Sequence, residues 1–193
     1  VVDIFFVGKL GTVPLAAITL TFPVVMVVGT FTLGLGVGAM AVISRSIGAG
    51  DKTGLVRYST DALTLAAVTV VILTGLGLYT IEPLFNLLGA SPATLPLIRE
   101  YMIIWYPGMI FYIVPIVGNN IIRATGDTVT PSVMMLLGVI VNTVLDPLFI
   151  FGWGPVPALG IGGAAVATVI ARALTLAAAL WVLIFRERLL ASP

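Results

Sequence analysis

The residues in this sequence best placed to do chemistry are Asn142 and Asp146, an amide and a carboxyl four positions apart within apolar sequence. Residues i and i+4 share one face of a helix, so the two side chains can point together into one cavity. A carboxyl in apolar surroundings is costly unless it is protonated, paired or coordinating a cation. The pair is therefore a candidate for taking up and releasing a proton or a cation. Asp3 and Thr168 are candidates for the same site. Asp3 lies five positions before the turn residue Gly8. Thr168 lies seven residues beyond Ile161, roughly 10 Å along its helix at 1.5 Å per residue. With the chain direction argued below, all these oxygens fall in the same half of a membrane. The competing readings are structural: an interfacial carboxylate for Asp146 beside Pro147 and for Asp3, and a hydroxyl bonded to its own helix for Thr168.

Three further polar residues interrupt apolar sequence. Asn119 and Asn120 either line a polar path or hydrogen-bond between helices. Arg172, flanked by Ala171 and Ala173, either faces the interior of a bundle or partners a buried polar group, since an arginine facing lipid is expensive. Other chemistries lack their residues. The chain has no cysteine and no histidine, which removes the thiolate nucleophile, the commonest general base and the commonest metal ligand. No lysine and glycine spacing of a nucleotide-binding loop is present. The expectation is a protein that is not an enzyme, with no catalytic set, no metal centre and no cofactor. Nine basic residues balance eight acidic ones, so no basic face for nucleic acid is expected.

The elements that must position these residues are membrane helices. The chain is 60% hydrophobic and 9% charged, with a mean hydropathy of +1.20; a soluble domain carries about 25% charged residues. Charges leave long neutral runs at 11–43, 62–81, 101–122, 128–145 and 147–171, most near or above the ~20 residues a spanning helix needs. Turn residues fall between them: Gly8 to Gly11, Gly48 to Gly54, a connection opening at Ile81-Glu82-Pro83 and ending near Pro96, Thr125 to Thr128, and Gly152 to Gly163. The pattern predicts an all-α, polytopic bundle with segments at 1–8, 14–46, 55–80, 94–122, 129–151 and 161–185. A β-barrel would need short alternating strands with polar lumen positions, which 62–72 lacks. Pro107 and Pro115 predict a bend in the fourth segment. Glycines 29, 34, 36 and 38 permit close packing or bending in the second. In the 123–128 turn, Arg123 suits the end of one helix, and Asp127 or Thr128 the start of the next.

Alternate connections hold Arg45, Lys52, Arg57, Arg123, Arg186 and Arg188, against Lys9 and Arg99 on the opposite side. Basic residues collect in the cytoplasm, so the second segment runs inward, the fifth runs outward, and the chain ends in the cytoplasm of a cell whose inner, plasma membrane it crosses several times. The opening at Val1, inside apolar sequence with no basic flank, predicts a truncated first helix.

These segments resemble the multidrug and toxic compound extrusion family. The resemblance rests on Val2-Asp3-Ile4-Phe5-Phe6-Val7-Gly8, Ser44-Arg45-Ser46-Ile47-Gly48-Ala49-Gly50-Asp51, Arg123-Ala124-Thr125-Gly126-Asp127-Thr128 with Pro131, Asn142-Thr143-Val144-Leu145-Asp146-Pro147 and Gly163-Ala164-Ala165-Val166-Ala167-Thr168, in that order. It implies a twelve-helix antiporter of two six-helix lobes, of which residues 1–193 are the N-terminal transmembrane lobe. It also implies export of drug-like organic cations and amphipathic compounds in exchange for protons or sodium ions. Asp3, Asn142 and Asp146 match the family's cation site, and Thr168 matches a threonine beside it. The expected partners are membrane lipids, the drug and a C-terminal lobe, without which the chain should not transport. An exporter of a lipid-linked precursor on a related fold is the alternative. It would want a basic cavity, for which Arg172 is the one candidate.

Overall fold

The computed structural model describes residues 2–152, 157–187 and 189. Val1, Arg188 and part of the expected 152–163 turn lie outside them. Among the described residues every regular element is a helix: α1 Val2–Gly8, α2 Thr12–Gly48, α3 Lys52–Leu87, α4 Leu95–Gly108, α5 Ile110–Ala124, α6 Val129–Phe151 and α7 Gly160–Trp181, which continues as a π-helical turn, Val182–Arg186. Among the described residues four helices are long and apolar enough to cross a membrane, and the α4–α5 pair makes a fifth span if counted as one. In the most apolar window of each of the four, only 17 to 28% of residues are buried within the chain. Val71, Leu136 and Phe185 are among the large side chains left exposed. Such a surface suits hydrocarbon, not water.

Two boundaries differ from the sequence reading. The third segment does not stop at Ile81-Glu82-Pro83: α3 runs on to Leu87 with Pro83 inside it. Ile81 and Phe85, one turn apart, are both buried. Their packing outweighs the single backbone bond that a proline removes. The helix ends instead near Gly89, whose φ of 87° an L side chain rarely adopts. The segment expected at 94–122 is two helices, α4 and α5, broken at Met109. Pro107 cannot donate to the helix, and the Met109 N–H turns back to the Tyr106 carbonyl at 3.1 Å. That shorter bond marks the break.

Contacts group the chain into two compact units. The first comprises Val1–Val27, Ile72–Met109 and Val139–Ala171; the second comprises Val28–Val71, Ile110–Gly138 and Arg172–Pro193. In the first, Phe85, Ile98, Met102, Ala164 and Ala167 are buried. There α4 and α7 run in the same direction, with Glu100 against Gly162 and Gly108 against Val169. A Cβ at Gly163 would collide with the Phe149 carbonyl, so this glycine lets the start of α7 touch the backbone of α6. In the second unit, Ile113, Val117, Ile121 and Leu183 are buried. Gly29 and Gly36 of α2 lie against Tyr112 and Asn120 of α5, whereas Gly34 and Gly38 meet no neighbour. The α2 glycines thus divide into two that pack and two that face open space.

Candidate functional site

Four polar side chains of the first unit form one hydrogen-bonded chain. Asn142 sits one turn before Asp146 on α6, and its Nδ2 donates to Asp146 Oδ1 at 3.0 Å. The same nitrogen reaches Thr168 Oγ1 on α7 at 3.4 Å. Thr168 Oγ1 in turn donates to Asp3 Oδ2 on α1 at 3.1 Å. The α6–α7 contact at Gly163 and Phe149 holds Thr168 opposite Asn142. Thr168, for which a bond to its own helix was the competing reading, therefore bonds across helices. Asp3, Asn142, Asp146 and Thr168 all lie at one place.

The electrostatics of this place are unbalanced. Asp146 is 0% exposed, and its Oδ2 has no hydrogen-bond partner. Asp3 is close enough for the two carboxyls to feel one another. Among the described residues no lysine or arginine forms an ion pair with either. Both amide hydrogens of Asn142 and the hydroxyl hydrogen of Thr168 are already committed to the chain, so neither side chain has a donor left for the second oxygen of Asp146. A buried carboxyl in that condition needs a proton or a cation from outside the protein. Among the described residues no three His, Cys, Asp or Glu side chains converge, so the oxygens on offer are two carboxyls, an amide and a hydroxyl. Tyr101 of α4, buried and within electrostatic range of both Asp3 and Asp146, was not anticipated from sequence. A tyrosine in an apolar run carries no pattern, and its place follows from α4 lying alongside α7.

The other three polar candidates belong to the second unit and form no hydrogen bond with one another among the described residues. Asn120 Nδ2 donates to the Ile116 carbonyl of its own helix at 2.9 Å and wedges against Gly36, a structural role. Asn119 is 4% exposed with Oδ1 unpartnered. The Arg172 guanidinium lies 5.0 Å from the centre of the Tyr112 ring. The same unit contains a cleft of about 610 Å³ between α2 and α3, lined chiefly by Phe31, Gly34, Leu35, Gly38, Tyr58 and Leu65. Its size is that of a small-molecule site.

At the 123–128 turn Asp127, one of the two residues expected to begin α6, accepts from the N–H groups of Val129 at 3.1 Å and Thr130 at 2.9 Å. It also takes the Thr130 hydroxyl and Arg186 Nη1, the latter at 3.2 Å.

Known proteins carry the same helices. The MatE family model matches residues 1–148. A FAD transporter of Shewanella oneidensis is 43% identical over 97% of this chain and 42% of its own length. The multidrug export protein MepA of Staphylococcus aureus is 32% identical over 96% of this chain and 40% of its own. Among solved structures, one described as MATE in the bent conformation superposes with a TM-score of 0.91 at 34% identity, over 100% of this chain and 44% of that one. Another, from Pyrococcus furiosus, superposes at 0.87 with 35% identity over 97% of this chain and 40% of that one. Its description concerns a reversed polarity of the binding pocket. The chain thus spans about two-fifths of the length of the relatives it matches.

Proposed function

The chain belongs to the MatE family, and from that membership we propose that it forms the N-terminal lobe of a secondary active transporter that exports cationic or amphipathic organic compounds in exchange for protons or sodium ions. The observation that carries the reading is the unpartnered Oδ2 of the buried Asp146. A proton adds there without breaking any bond of the Asn142–Thr168–Asp3 chain. A cation in its place would draw on the oxygens of Asp146, Asp3, Thr168 and Asn142. Either arrival removes an uncompensated charge from an apolar interior, so its differential affinity for two conformations biases one over the other. Alternating access then follows from movement of this lobe against a second, supplied by the length the relatives have beyond it. The cleft lined by Phe31 and Tyr58 offers apolar surface and ring faces to an aromatic cation. The bias of basic residues puts the Lys52 and Arg123 turns in the cytoplasm, and the membrane is the cell's inner, plasma membrane.

The test is ethidium transport by the whole protein in vesicles under an imposed proton or sodium gradient. Gradient-driven accumulation is expected. Accumulation indifferent to both gradients would remove the coupled-exchange reading.

A second reading concerns the solute. The relative named a FAD transporter and the mid-span Arg172 both favour a phosphate-bearing, ring-containing compound over a cation. Arg172 would equally suit the phosphate of a lipid-linked precursor.

A further inference from the structure

We propose that Arg172, laid on the ring of Tyr112, is a binding position for the phosphate of an anionic, ring-bearing solute of the nucleotide class. The inference rests on the transporter reading and extends it to a substrate class. Arg172 lies twelve residues from Gly160 and fourteen from Arg186, so its Cα is about 18 Å from one end of the helix and about 21 Å from the other. Neither end is within reach of an arginine side chain, so it cannot escape the apolar layer by extending along its own helix. Among the described residues no carboxylate forms an ion pair with it. Among the described residues its contact is the Tyr112 ring at 5.0 Å, and a cation–π contact offsets only about 0.5–2 kcal/mol, less than the cost of a charge in hydrocarbon. The side chain is half-buried, not sealed, so a ligand can reach it.

The geometry also selects the ligand. A guanidinium over a ring makes no N–H hydrogen bond to it through the ring contact itself, and its planar fork of N–H groups matches phosphate oxygens two at a time. Gly29 of α2 helps set the ring: a Cβ there would come within 3.2 Å of the Tyr112 hydroxyl. A second observation lies on the same helix. Asn119 is seven residues beyond Tyr112, hence on the same face of α5 about 10 Å along. It is 4% exposed, and its Oδ1 accepts no hydrogen bond from the protein. That acceptor is closed off from solvent, so a heterocycle whose phosphate the cation holds would reach it with its N–H groups only when the helices around it part. The Asp146 site offers the opposite polarity, acceptors without a cation, so the two positions take different species.

Binding of flavin adenine dinucleotide to the whole protein, read by quenching of flavin fluorescence, tests this alongside gradient-driven export of ethidium. Arg172→Gln should weaken flavin binding at least about tenfold while ethidium export stays near normal. Tyr112→Phe, which keeps the ring, should bind like the unaltered protein, and Tyr112→Leu should bind less well. If Arg172→Gln does not accumulate in the membrane, Arg172→Lys decides, because it keeps the charge but loses the fork: weaker flavin binding with normal ethidium export supports the site. Undiminished flavin binding by either Arg172 variant overturns it, as does an equal loss of ethidium export, which would mark Arg172 as structural. Unaltered protein that exports ethidium but binds no flavin dinucleotide overturns this inference alone. Protein that does neither removes the transport reading as well.

Discussion

Two aspartates of α6 and its leading turn, Asp127 and Asp146, show how surroundings set what a carboxylate can do. Asp127 stands at the start of the helix. Two backbone N–H groups, the Thr130 hydroxyl and the Arg186 guanidinium all point at it. Its charge is answered from every side, and the Thr130 hydroxyl foremost, then the Thr130 N–H and Arg186, holds the carboxyl below the usual range. Asp146 receives one amide hydrogen at one oxygen, with a second carboxyl as its neighbour. Asp127 ties the start of α6 to the end of the α7 segment and has no capacity left to exchange a partner. Asp146 is incompletely answered, as the proposed exchange of a proton or cation requires.

Breaking the comparison at Asp146 should have the largest effect. Asp146→Asn keeps the shape and the position beside Asn142 but removes the exchangeable charge. Gradient-driven ethidium export by the whole protein should fall at least about tenfold, equivalent to ~1.4 kcal/mol, while the amount of inserted protein stays near normal. Undiminished coupled export by this variant would show that the charge is dispensable.

A smaller effect is expected at Thr168, which links the two carboxyls without carrying charge. Thr168→Ala removes the bridge between Asn142 and Asp3 and should lower export about two- to fivefold, the scale of one neutral hydrogen bond at ~0.5–1 kcal/mol. Thr168→Ser keeps the hydroxyl and should restore most of it. Equal losses in both variants would point to packing, not to the hydrogen-bond chain.

The smallest effect lies at Asp127, and it should appear in stability, not transport. A carboxyl held below its unfolded value contributes stability that is complete above that value, near pH ~4, and is lost as pH falls through the lower folded value. Thermal melting of the detergent-solubilised protein should therefore show no contribution from Asp127 to pH dependence around neutrality and a fall in acid. Asp127→Asn should flatten that fall and leave gradient-driven export unchanged. An unchanged acid slope would mean that other carboxyls set it.

How much of this was legible beforehand depends on range. The Asn142–Asp146 pairing is local: two residues one helical turn apart must share a face, and Nδ2 donates to the carboxyl as that spacing requires. Thr168 was ambiguous read alone: its depth put it in the same half of the membrane as Asp3, but a lone threonine in a helix usually bonds its own carbonyl, and spacing did not show that the two converge. Tyr101 gave no sign at all. Arg172 was visible as an expensive residue, but its partner was not, since nothing in the spacing from Tyr112 says that α5 and α7 pack side by side. The end of α3 was misread because a proline marks a local cost, and the burial of Ile81 and Phe85 that overrides it is decided elsewhere in the chain.

Composition and periodicity by themselves determined that this protein is a bundle of lipid-facing helices, because neutral apolar runs of such length can satisfy their backbone in a membrane only as helices or closed barrels, and these runs lack a barrel's alternation. They also determined which few polar residues had to be explained, because each costs free energy in that solvent. The tertiary structure alone decided which of those residues meet. Asp3, Thr168 and Asn142 come from three helices, and their hydrogen bonds need interhelical distances held within an ångström or so. Close contacts such as Gly163 against Phe149 hold those distances, and helical period does not specify them.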